Sequence, residues 1–373
     1  MSDFHPLAIK QVRNDTRDAI VVTFDVPPDL REPFRFKQGQ FLTLEADIEG
    51  EAVRRSYSIC SGVTDEALRV AIKRVPGGVF SSWAHDRLKA GASVRVAPPD
   101  GRFHVPLAHE NARHYLAFAA GSGITPVLSI LATTLAHEPA SHFTLVYGNR
   151  ASSSVMFREE LQQLKDRYLD RLALIFVMSR EQQDIDLLNG RVDRTKCEQL
   201  FQHWIDVTSI EAAFICGPGE MARGVAAALD AAGVDRRRVK VESFGVTGTP
   251  RRTLTGTAPA LSDECTHVEL ILDGRRCDFE MPRSGEPILD AALRHGIDVP
   301  YSCRSGVCGT CRATLTAGEV DIDINYALED YEIARGAILM CQSYPVTAGV
   351  GVNADSSRSY LLELEDLPRS SPR

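Results

Sequence analysis

Short runs of alternating apolar and polar residues occupy the first hundred positions of the chain. Turn residues separate these runs, among them Pro27-Pro28 and the Pro-Pro-Asp-Gly stretch at residues 98–101. Short strands at regular spacing with turns between them are typical of a small antiparallel barrel. The pattern predicts strands at residues 19–26, 40–46, 67–75 and 92–97, and one helix at residues 79–89.

From about residue 114 the pattern changes to apolar runs that alternate with helical segments, which is typical of a doubly wound parallel sheet. Residues 115–136 contain no Asp, Glu, Lys or Arg and are long enough to cross a membrane. Gly121, Gly123 and Pro126 interrupt this stretch, so a buried strand, a turn and a helix explain it better. The parallel strands are predicted at residues 115–119, 143–147, 173–178, 212–216 and 239–243.

The last third of the chain begins with a stretch rich in Gly, Thr and Pro, which is typical of a linker. Asp273-Gly274 between two alternating runs predicts a β-hairpin. The hairpin strands are expected at residues 267–272 and 276–281, a helix at 286–295, and a short helix in the polar tail at 359–367. The predicted divisions are a first domain at 1–108, a second at 109–245, a linker at 246–262, a third domain at 263–356 and a tail at 357–373.

Four cysteines of the third domain have the spacing C-x4-C-x2-C followed by one distant cysteine, which is the plant-type arrangement for a [2Fe-2S] cluster. Gly306 and Gly309 let the backbone between them approach the sulfur atoms closely. The alternatives are cysteines spaced so by chance and a zinc site. Zinc sites usually combine two C-x2-C pairs, and here a single pair has that spacing. The predicted metal ligands are Cys303, Cys308, Cys311 and Cys341.

Charge and cysteine content narrow the possible functions. The formal net charge is -8, which disfavours nucleic-acid binding because that role needs a basic surface. The chain has 9 cysteines, and those outside the cluster form no disulfide framework, which favours a reducing compartment. The first residues lack the apolar run of an export signal. We therefore expect a cytoplasmic protein that binds neither nucleic acid nor a membrane.

Two short motifs of the first domain carry polar groups suited to a cofactor. Arg55-Ser56-Tyr57-Ser58 ends a predicted strand and offers a cation, an aromatic ring and hydroxyls. The Gly-Gly pair before the predicted helix places flexible backbone at a helix N-terminus, where anions bind. Each motif alone has a simpler explanation. The first can be an edge strand with a hydrogen-bonded tyrosine, and the second can be an ordinary turn.

A glycine-rich turn follows the first parallel strand, where a dinucleotide pyrophosphate would bind. The turn, Gly121-Ser122-Gly123-Ile124-Thr125-Pro126, has proline in place of the third glycine of the usual fingerprint. The ends of the other parallel strands share this edge of the sheet, so Arg150, Ser179-Arg180 and Cys216-Gly217 are expected to join one site. Ser179 and Arg180 suit a 2'-phosphate, although an ordinary solvated loop remains possible, and Cys216 could simply be a small buried residue.

Other catalytic chemistry has no support in the sequence. The stretch at residues 264–267 reads E-x-x-H, but it occurs once and enters a predicted strand, whereas a di-iron site needs two copies on helices. The chain has no G-x-S-x-G motif and no P-loop lysine motif.

With these three domains in this order, the chain resembles the ferredoxin-NADP reductase superfamily fused to a C-terminal plant-type ferredoxin, over about residues 3–352. The resemblance implies an antiparallel flavin-binding β-barrel, an α/β doubly wound nicotinamide domain and an α+β β-grasp ferredoxin. The implied cofactors are FAD, with FMN as the alternative, and a [2Fe-2S] cluster, and NADPH is the implied co-substrate. Gln38 stands where this family usually has proline.

The resemblance also implies roles for individual residues. Tyr57 would pack on the flavin ring, Ser58 would bond its edge, and Phe244 would cover it. The implied catalytic residues are Tyr57, Ser58, Cys216, Glu242 and Phe244. The implied cofactor-binding residues are Arg55, Ser56, Tyr57, Ser58, Gly78 and Ser81 for the flavin, and Gly121, Gly123, Thr125, Pro126, Arg150, Ser179, Arg180 and Gly217 for the nicotinamide coenzyme.

More narrowly, stretches such as RRSYSIC, TLVYGNR and FICGP are similar to the reductase subunits of multicomponent phenylacetyl-CoA epoxidases. The implied partners are oxygenase or epoxidase subunits, which would receive electrons from NADPH by way of flavin and cluster. Reductases that serve ring-hydroxylating or steroid-hydroxylating oxygenases are the alternative. A redox-sensing regulatory module is an alternative of another class, for which the sequence shows no effector domain.

Overall fold

The computed structural model describes residues 4–244, 265–283, 285–328 and 330–355 of the 373-residue chain. These residues fall into two compact units, one formed by residues 4–244 and the other by the described residues from 265 onwards. The predicted linker and the helix predicted in the tail lie outside the described residues.

Six antiparallel strands form the first sheet, in the order β4-β3-β6-β1-β2-β5. Beyond the end of β4, Ile59 bridges to Val70 of the last strand in that order, which closes the sheet into a barrel. The predicted barrel is therefore confirmed. Its elements are β1 His5–Thr16, β2 Ala19–Asp25, β3 Phe41–Ile48, β4 Glu51–Ser58, β5 Leu68–Lys73, α1 Val79–Arg87 and β6 Ser93–Val96.

Strand β1 pairs with both β2 and β6, yet the sequence pattern does not predict it. Within its 12 residues Leu7 and Ile9 are the fully buried positions, so its apolar alternation is too short to recognise. Helix α1 ends two residues earlier than predicted because Leu88 already has extended backbone angles.

Five parallel strands form the second sheet, in the order β11-β10-β7-β8-β9. Apolar residues of the strands and helices are buried on both faces, as parallel sheets require. All the strands end at one edge, which positions the candidate site. The elements are β7 His114–Ala120, α2 Ile124–His137, β8 His142–Asn149, α3 Arg158–Arg167, β9 Leu172–Met178, α4 Arg194–His203, β10 Ile210–Cys216, α5 Gly219–Ala231 and β11 Val239–Glu242.

The charge-free stretch at residues 115–136 falls on β7, a tight turn and α2, as predicted. Within the described stretches no helix is both long and apolar enough to cross a membrane.

A mixed sheet in the order β13-β12-β18-β14-β16 and a two-stranded β15-β17 sheet form the second unit, with α6 packed against its core. The predicted hairpin is confirmed, and its turn residues Asp273 and Gly274 have φ of 52° and 69°. Helix α6 begins after Pro287, later than predicted. The elements are β12 Cys265–Leu272, β13 Arg275–Pro282, α6 Ile288–Arg294, β14 Arg312–Ala317, β15 Val320–Ile322, α7 Asp330–Ile333, β16 Ala337–Leu339, β17 Ser343–Pro345 and β18 Gly349–Asn353.

Candidate functional site

The last residues of β4 carry the first group of candidate side chains. Along the strand Arg55 is exposed, Ser56 and Tyr57 are half-buried, and Ser58 is buried. The Tyr57 ring lies 5.7 Å from the ring of Phe80 on α1, and burial raises the pKa of Tyr57 while the Arg55 charge opposes that rise. An aromatic face and a guanidinium therefore stand next to each other on the same side of one strand.

Gly78 immediately precedes α1 and allows a tight turn there. A Cβ at this position would lie 2.7 Å from the Ser81 hydroxyl and 3.1 Å from the Val75 carbonyl oxygen. The Ser81 hydroxyl is used within the turn, since it accepts from the Val75 N–H at 3.1 Å and donates to the Gly78 carbonyl at 3.3 Å. A phosphate at this helix start would therefore be met mainly by backbone N–H groups.

Ser58 of the barrel meets two residues of the parallel sheet. Its hydroxyl donates to Oε2 of Glu242 at 3.4 Å, and Glu242 pairs with Cys216 across β10 and β11. Burial raises the pKa of Glu242 to about 8, against the opposing effect of the Ser58 bond. Burial, with the charge of Glu242, also raises the pKa of Cys216 well above its usual range. Three candidate catalytic residues from distant parts of the sequence thus converge.

The glycine-rich turn reaches the same edge of the sheet. Gly121 has φ of 54°, and its carbonyl accepts from the Tyr147 hydroxyl at 2.8 Å. A Cβ on Gly123 would lie 2.1 Å from the carbonyl oxygen of Cys216, so this close backbone approach requires glycine. Thr125 and Pro126 are buried in the first turn of α2.

Gly217 is also a point of close packing. A Cβ on it would lie 2.5 Å from the end of the Met221 side chain and 3.2 Å from the Ala120 side chain. Phe244 lies two residues beyond β11 and is 39% exposed, so its ring is accessible at the end of this unit.

Arg150, Ser179 and Arg180 lie at the ends of β8 and β9 and are all exposed. Ser179 donates to the Asn149 carbonyl through its N–H at 2.9 Å and through its hydroxyl at 3.2 Å. These residues share the carboxyl edge with the glycine-rich turn, as the sequence predicts.

The cysteine loop of the second unit has a backbone shaped by its glycines. Gly306 and Gly309 have φ of 72° and 73°, and a Cβ on Gly306 would lie 2.3 Å from the Ile324 carbonyl oxygen. The N–H groups of Ser305 and Cys308 each lie 3.4 Å from the Cys303 sulfur. Inward-turned N–H groups suit an anionic iron-sulfur cluster.

The four cysteine sulfurs lie close enough to interact. Contacts with Cys308 and Cys341 lower the pKa of Cys303, and the same contacts raise the pKa of both partners. Cys311 also interacts with Cys308 and Cys341. Among the described residues, no three His, Cys, Asp or Glu side chains surround a single metal position. A [2Fe-2S] cluster does not need such a group, because its four cysteines are divided between two irons. The cysteines therefore fit the cluster.

Sequence reasoning missed several polar residues that hold α3 against the barrel. Glu160 of α3 accepts hydrogen bonds from Arg69 of β5 at 3.1 and 3.2 Å and also bonds Arg13 of β1. Asp15 of β1 accepts from the N–H of Phe157, just before α3, at 3.0 Å. Contacts between residues so distant along the chain leave no local sequence signal.

Three family profiles match the chain in succession. They are an oxidoreductase FAD-binding domain at residues 6–105, an oxidoreductase NAD-binding domain at 118–227 and a 2Fe-2S iron-sulfur cluster binding domain at 270–346. The last range contains all four candidate cluster cysteines. The chain therefore has FAD-binding, NAD-binding and [2Fe-2S] domains.

Relatives match over almost the whole chain. A 1,2-phenylacetyl-CoA epoxidase subunit of Escherichia coli (strain K12) is 42% identical over 95% of this chain and 99% of its own length. The 3-ketosteroid-9-alpha-monooxygenase ferredoxin reductase component of Rhodococcus rhodochrous is 37% identical over 91% of this chain and 94% of its own length.

Among solved structures, phthalate dioxygenase reductase is similar, with a TM-score of 0.60 and 25% identity over 94% of this chain and 98% of that one. Its fold combines the same antiparallel, parallel and ferredoxin parts. Since a relative of 42% identity matches throughout, the chain belongs to the family of oxygenase reductase components that join FAD-binding, NAD-binding and [2Fe-2S] domains in one polypeptide.

Proposed function

We propose that this reductase uses NADPH and delivers electrons to a separate phenylacetyl-CoA epoxidase. Identity to the Escherichia coli epoxidase protein is 42%, and it extends over 99% of that protein. Identity to the 3-ketosteroid monooxygenase reductase is 37%, over 94% of its length. The higher identity and fuller coverage favour the epoxidase as the electron acceptor.

The observation that carries the proposal is the 3.4 Å contact between Ser58 and Glu242. It joins the strand that carries the flavin-binding motif to the sheet edge that carries the nicotinamide-binding turn. Hydride transfer requires flavin and nicotinamide to lie against each other, and this contact supports a model in which their two binding regions are neighbours.

Bound FAD supplies the conversion of a hydride into two single electrons, and a bound [2Fe-2S] cluster supplies one-electron transfer. The chain's own residues bind these cofactors and orient them. Tyr57 provides a face for the flavin ring, and Arg55 provides charge for the pyrophosphate. The Glu242 carboxyl holds a proton at neutral pH, and Phe244 offers an accessible ring to cover the flavin. Cys303, Cys308, Cys311 and Cys341 would hold the cluster.

The choice of NADPH is supported by Arg150, Ser179 and Arg180, because guanidinium and hydroxyl groups suit a phosphate better than a ribose diol. The domain limits of 1–108, 109–245 and 263–356 belong to the same proposal, with a linker at 246–262. So does a cytoplasmic location, for which the 9 cysteines without a disulfide framework argue.

An anaerobic visible-spectrum titration with NADPH and, separately, NADH tests the electron chain. We expect flavin and iron-sulfur absorbance to bleach together, at lower NADPH than NADH. Iron-sulfur absorbance that neither coenzyme bleaches, without any flavin band, would contradict the proposal.

Reconstitution identifies the acceptor. Purified reductase is combined with the oxygenase components of a phenylacetyl-CoA epoxidase or with a 3-ketosteroid monooxygenase, and NADPH-dependent product is measured. We expect product with the epoxidase at least about tenfold faster, because electrostatic and shape complementarity select partners on that scale. Faster turnover with the steroid enzyme would assign the chain to that system instead.

A further inference from the structure

Two arginines stand side by side at the carboxyl edge of the parallel sheet. Past the ends of β8 and β9 the two segments continue to hydrogen bond, since the Arg180 N–H donates to the Arg150 carbonyl at 2.8 Å. Both residues are exposed. The backbone therefore fixes the two arginines on adjacent segments of the same rim.

Neither guanidinium pairs with a carboxylate in the part of the chain that the structure describes. Other exposed arginines do so, for example Arg194 with Glu198 at 2.8 Å and Arg236 with Asp230 at 3.1 Å. Two cations at neighbouring positions without a counter-charge repel each other and favour the binding of an anion between them.

Glu181, which follows Arg180 directly, is engaged elsewhere. Its carboxylate accepts from the Ser152 N–H at 2.8 Å and from the Ser152 hydroxyl at 2.5 Å. These bonds lower the pKa of Glu181, so the group stays charged at neutral pH. Ser152 lies in the segment after β8, so the same bonds tie together the two segments that carry the arginines.

We propose that Glu181 is a positioning residue, which through Ser152 holds Arg150 and Arg180 as a joint receptor for the 2'-phosphate of NADPH. An acid at such a strand end favours NADH when it bonds the ribose 2'-hydroxyl, and it repels a phosphate there. Because both of its oxygens accept hydrogen bonds from Ser152, Glu181 is engaged within the protein and is not available to bond the ribose 2'-hydroxyl. Each guanidinium can then direct paired N–H donors at one phosphate. This inference rests on the proposed use of NADPH.

The test measures KM and kcat of the holoprotein for NADPH and NADH with ferricyanide as acceptor, and inhibition by 2'-AMP. For Glu181→Ala and for Arg150→Ala we expect the KM for NADPH to rise about tenfold, the value of one charge-assisted hydrogen bond. The KM for NADH and both kcat values should change less than about twofold, because those steps do not use the phosphate. Inhibition by 2'-AMP should weaken in parallel with NADPH binding.

Arg167→Ala is the matched control, since this exposed arginine lies in the last turn of α3, at the opposite edge of the sheet, and should leave both KM values unchanged. An equal rise of both KM values in Glu181→Ala would make Glu181 merely structural and overturn the inference. A rise of the KM for NADH alone in Glu181→Ala would show that the acid contacts the ribose, and it would also overturn the inference.

Two further results separate this inference from the proposed function. A wild-type protein that prefers NADH would overturn the coenzyme choice itself. A wild-type protein that prefers NADPH, with Glu181→Ala unaffected, would overturn the inference alone. If Glu181→Ala fails to fold, Ser152→Ala removes the hydroxyl bond only, and we then expect a smaller rise, about threefold, in the KM for NADPH alone.

Discussion

Glu242 shows how the surroundings of one residue change its chemistry. Its carboxyl has lost hydration at the end of β11, and the hydroxyl of Ser58 gives it one neutral donor. A neutral donor compensates burial of a charge less well than a cation does. The acid is therefore mostly protonated near neutral pH, at a point where the barrel meets the parallel sheet.

A pH dependence of stability follows from this residue. The pKa of Glu242 is raised from 4.5 to about 8 in the folded protein, so between these values the folded chain holds a proton that the unfolded chain has lost. The stability that this group contributes is full below pH 4.5 and is lost as the pH rises through about 8. Glu242→Gln should melt about 5 °C above the wild type at pH 9. The difference should shrink towards pH 5, as scanning calorimetry can show.

Glu220→Gln on the exposed first turn of α5 is the control, and its melting temperature should follow the wild type throughout. A constant offset between Glu242→Gln and the wild type over the whole pH range would mean that the acid is not protonated in the folded state.

Gly123 is a second residue whose surroundings determine its identity, because they leave room for glycine only. A Cβ there would lie 2.1 Å from the Cys216 carbonyl oxygen. Both Gly123 and this oxygen belong to the backbone, which cannot shift easily to relieve the clash. We expect Gly123→Ala to cost about 2–3 kcal/mol of stability, as overpacking does, and to raise the KM for the coenzyme. Gly219→Ala is the control, because its Cβ would come within 3.4 Å of the flexible Arg223 side chain only. Equal melting temperatures for the two variants would contradict this account.

At the scale of elements, α3 is held against the barrel by charged groups. Glu160 in its first turn bonds arginines from β1 and β5, and Asp15 of β1 accepts the N–H of Phe157 at the start of the helix. The half-buried acid and its two cations form a network, which contributes more than a single surface ion pair. Helix α3 follows the segment that carries Arg150, so this network also holds the helix into which that segment leads.

Neutralising Glu160 tests this network. Glu160→Gln should lower the melting temperature by about 4 °C, since a loss of 1–2 kcal/mol has that effect in a domain of this size. Glu159→Gln changes an exposed neighbour on the same helical turn and should leave the melting temperature within about 1 °C of the wild type. A larger effect at Glu159 than at Glu160 would show that the helix dipole, rather than the network, is the important contribution.

Elements with strong local patterns were predicted, and those that depend on distant partners were not. The parallel strands and the hairpin at Asp273-Gly274 follow from runs of apolar residues and from turn chemistry. Strand β1 has two fully buried residues and is a strand because β2 and β6 pair with it. Likewise, Arg13 and Glu160 are 147 positions apart, and no window of sequence contains both. The family resemblance implied that Ser58 and Glu242 share a site, but the hydrogen bond between them had to come from the structure.

At the scale of the molecule, charge is divided unevenly along the chain. Residues 265–355 contain 14 acidic and 7 basic side chains, whereas residues 4–244 contain 30 of each. The ferredoxin part thus carries nearly all of the net charge of -8. A charged module of this kind steers encounters with an oppositely charged partner.

Electron delivery to the oxygenase should therefore depend on salt. Between about 50 mM and 500 mM NaCl we expect the rate of electron transfer to the proposed acceptor, the epoxidase, to fall about tenfold, since screening removes electrostatic steering. Ferricyanide is an anion, so the control acceptor must be an uncharged quinone, whose reduction rate should change little. An epoxidase rate that rises with salt would indicate that the acidic surface opposes docking.

The division into two units also predicts separable cofactors. Cys308→Ala should abolish iron-sulfur absorbance and leave flavin reduction by NADPH within about twofold of the wild type, because residues 4–244 have their own cores. Anaerobic visible spectra measure both. Cys277→Ala, a half-buried cysteine outside the loop, is the control and should retain the cluster. Joint loss of flavin and cluster in Cys308→Ala would show that the units do not fold independently.

The parallel pairing of β12 with β18 also has a mechanical consequence. The chain enters this unit at one end of β12, and Asp355 leaves it at the other, where its carboxylate binds the N–H groups of Asp273 and Gly274 at 2.5 and 2.7 Å. Tension applied between the two ends would load this pair of strands in shear, so the hydrogen bonds from His267 to Ile271 must break together rather than one after another. The module that carries the cluster should resist pulling far better than a hairpin unzipped from its open end.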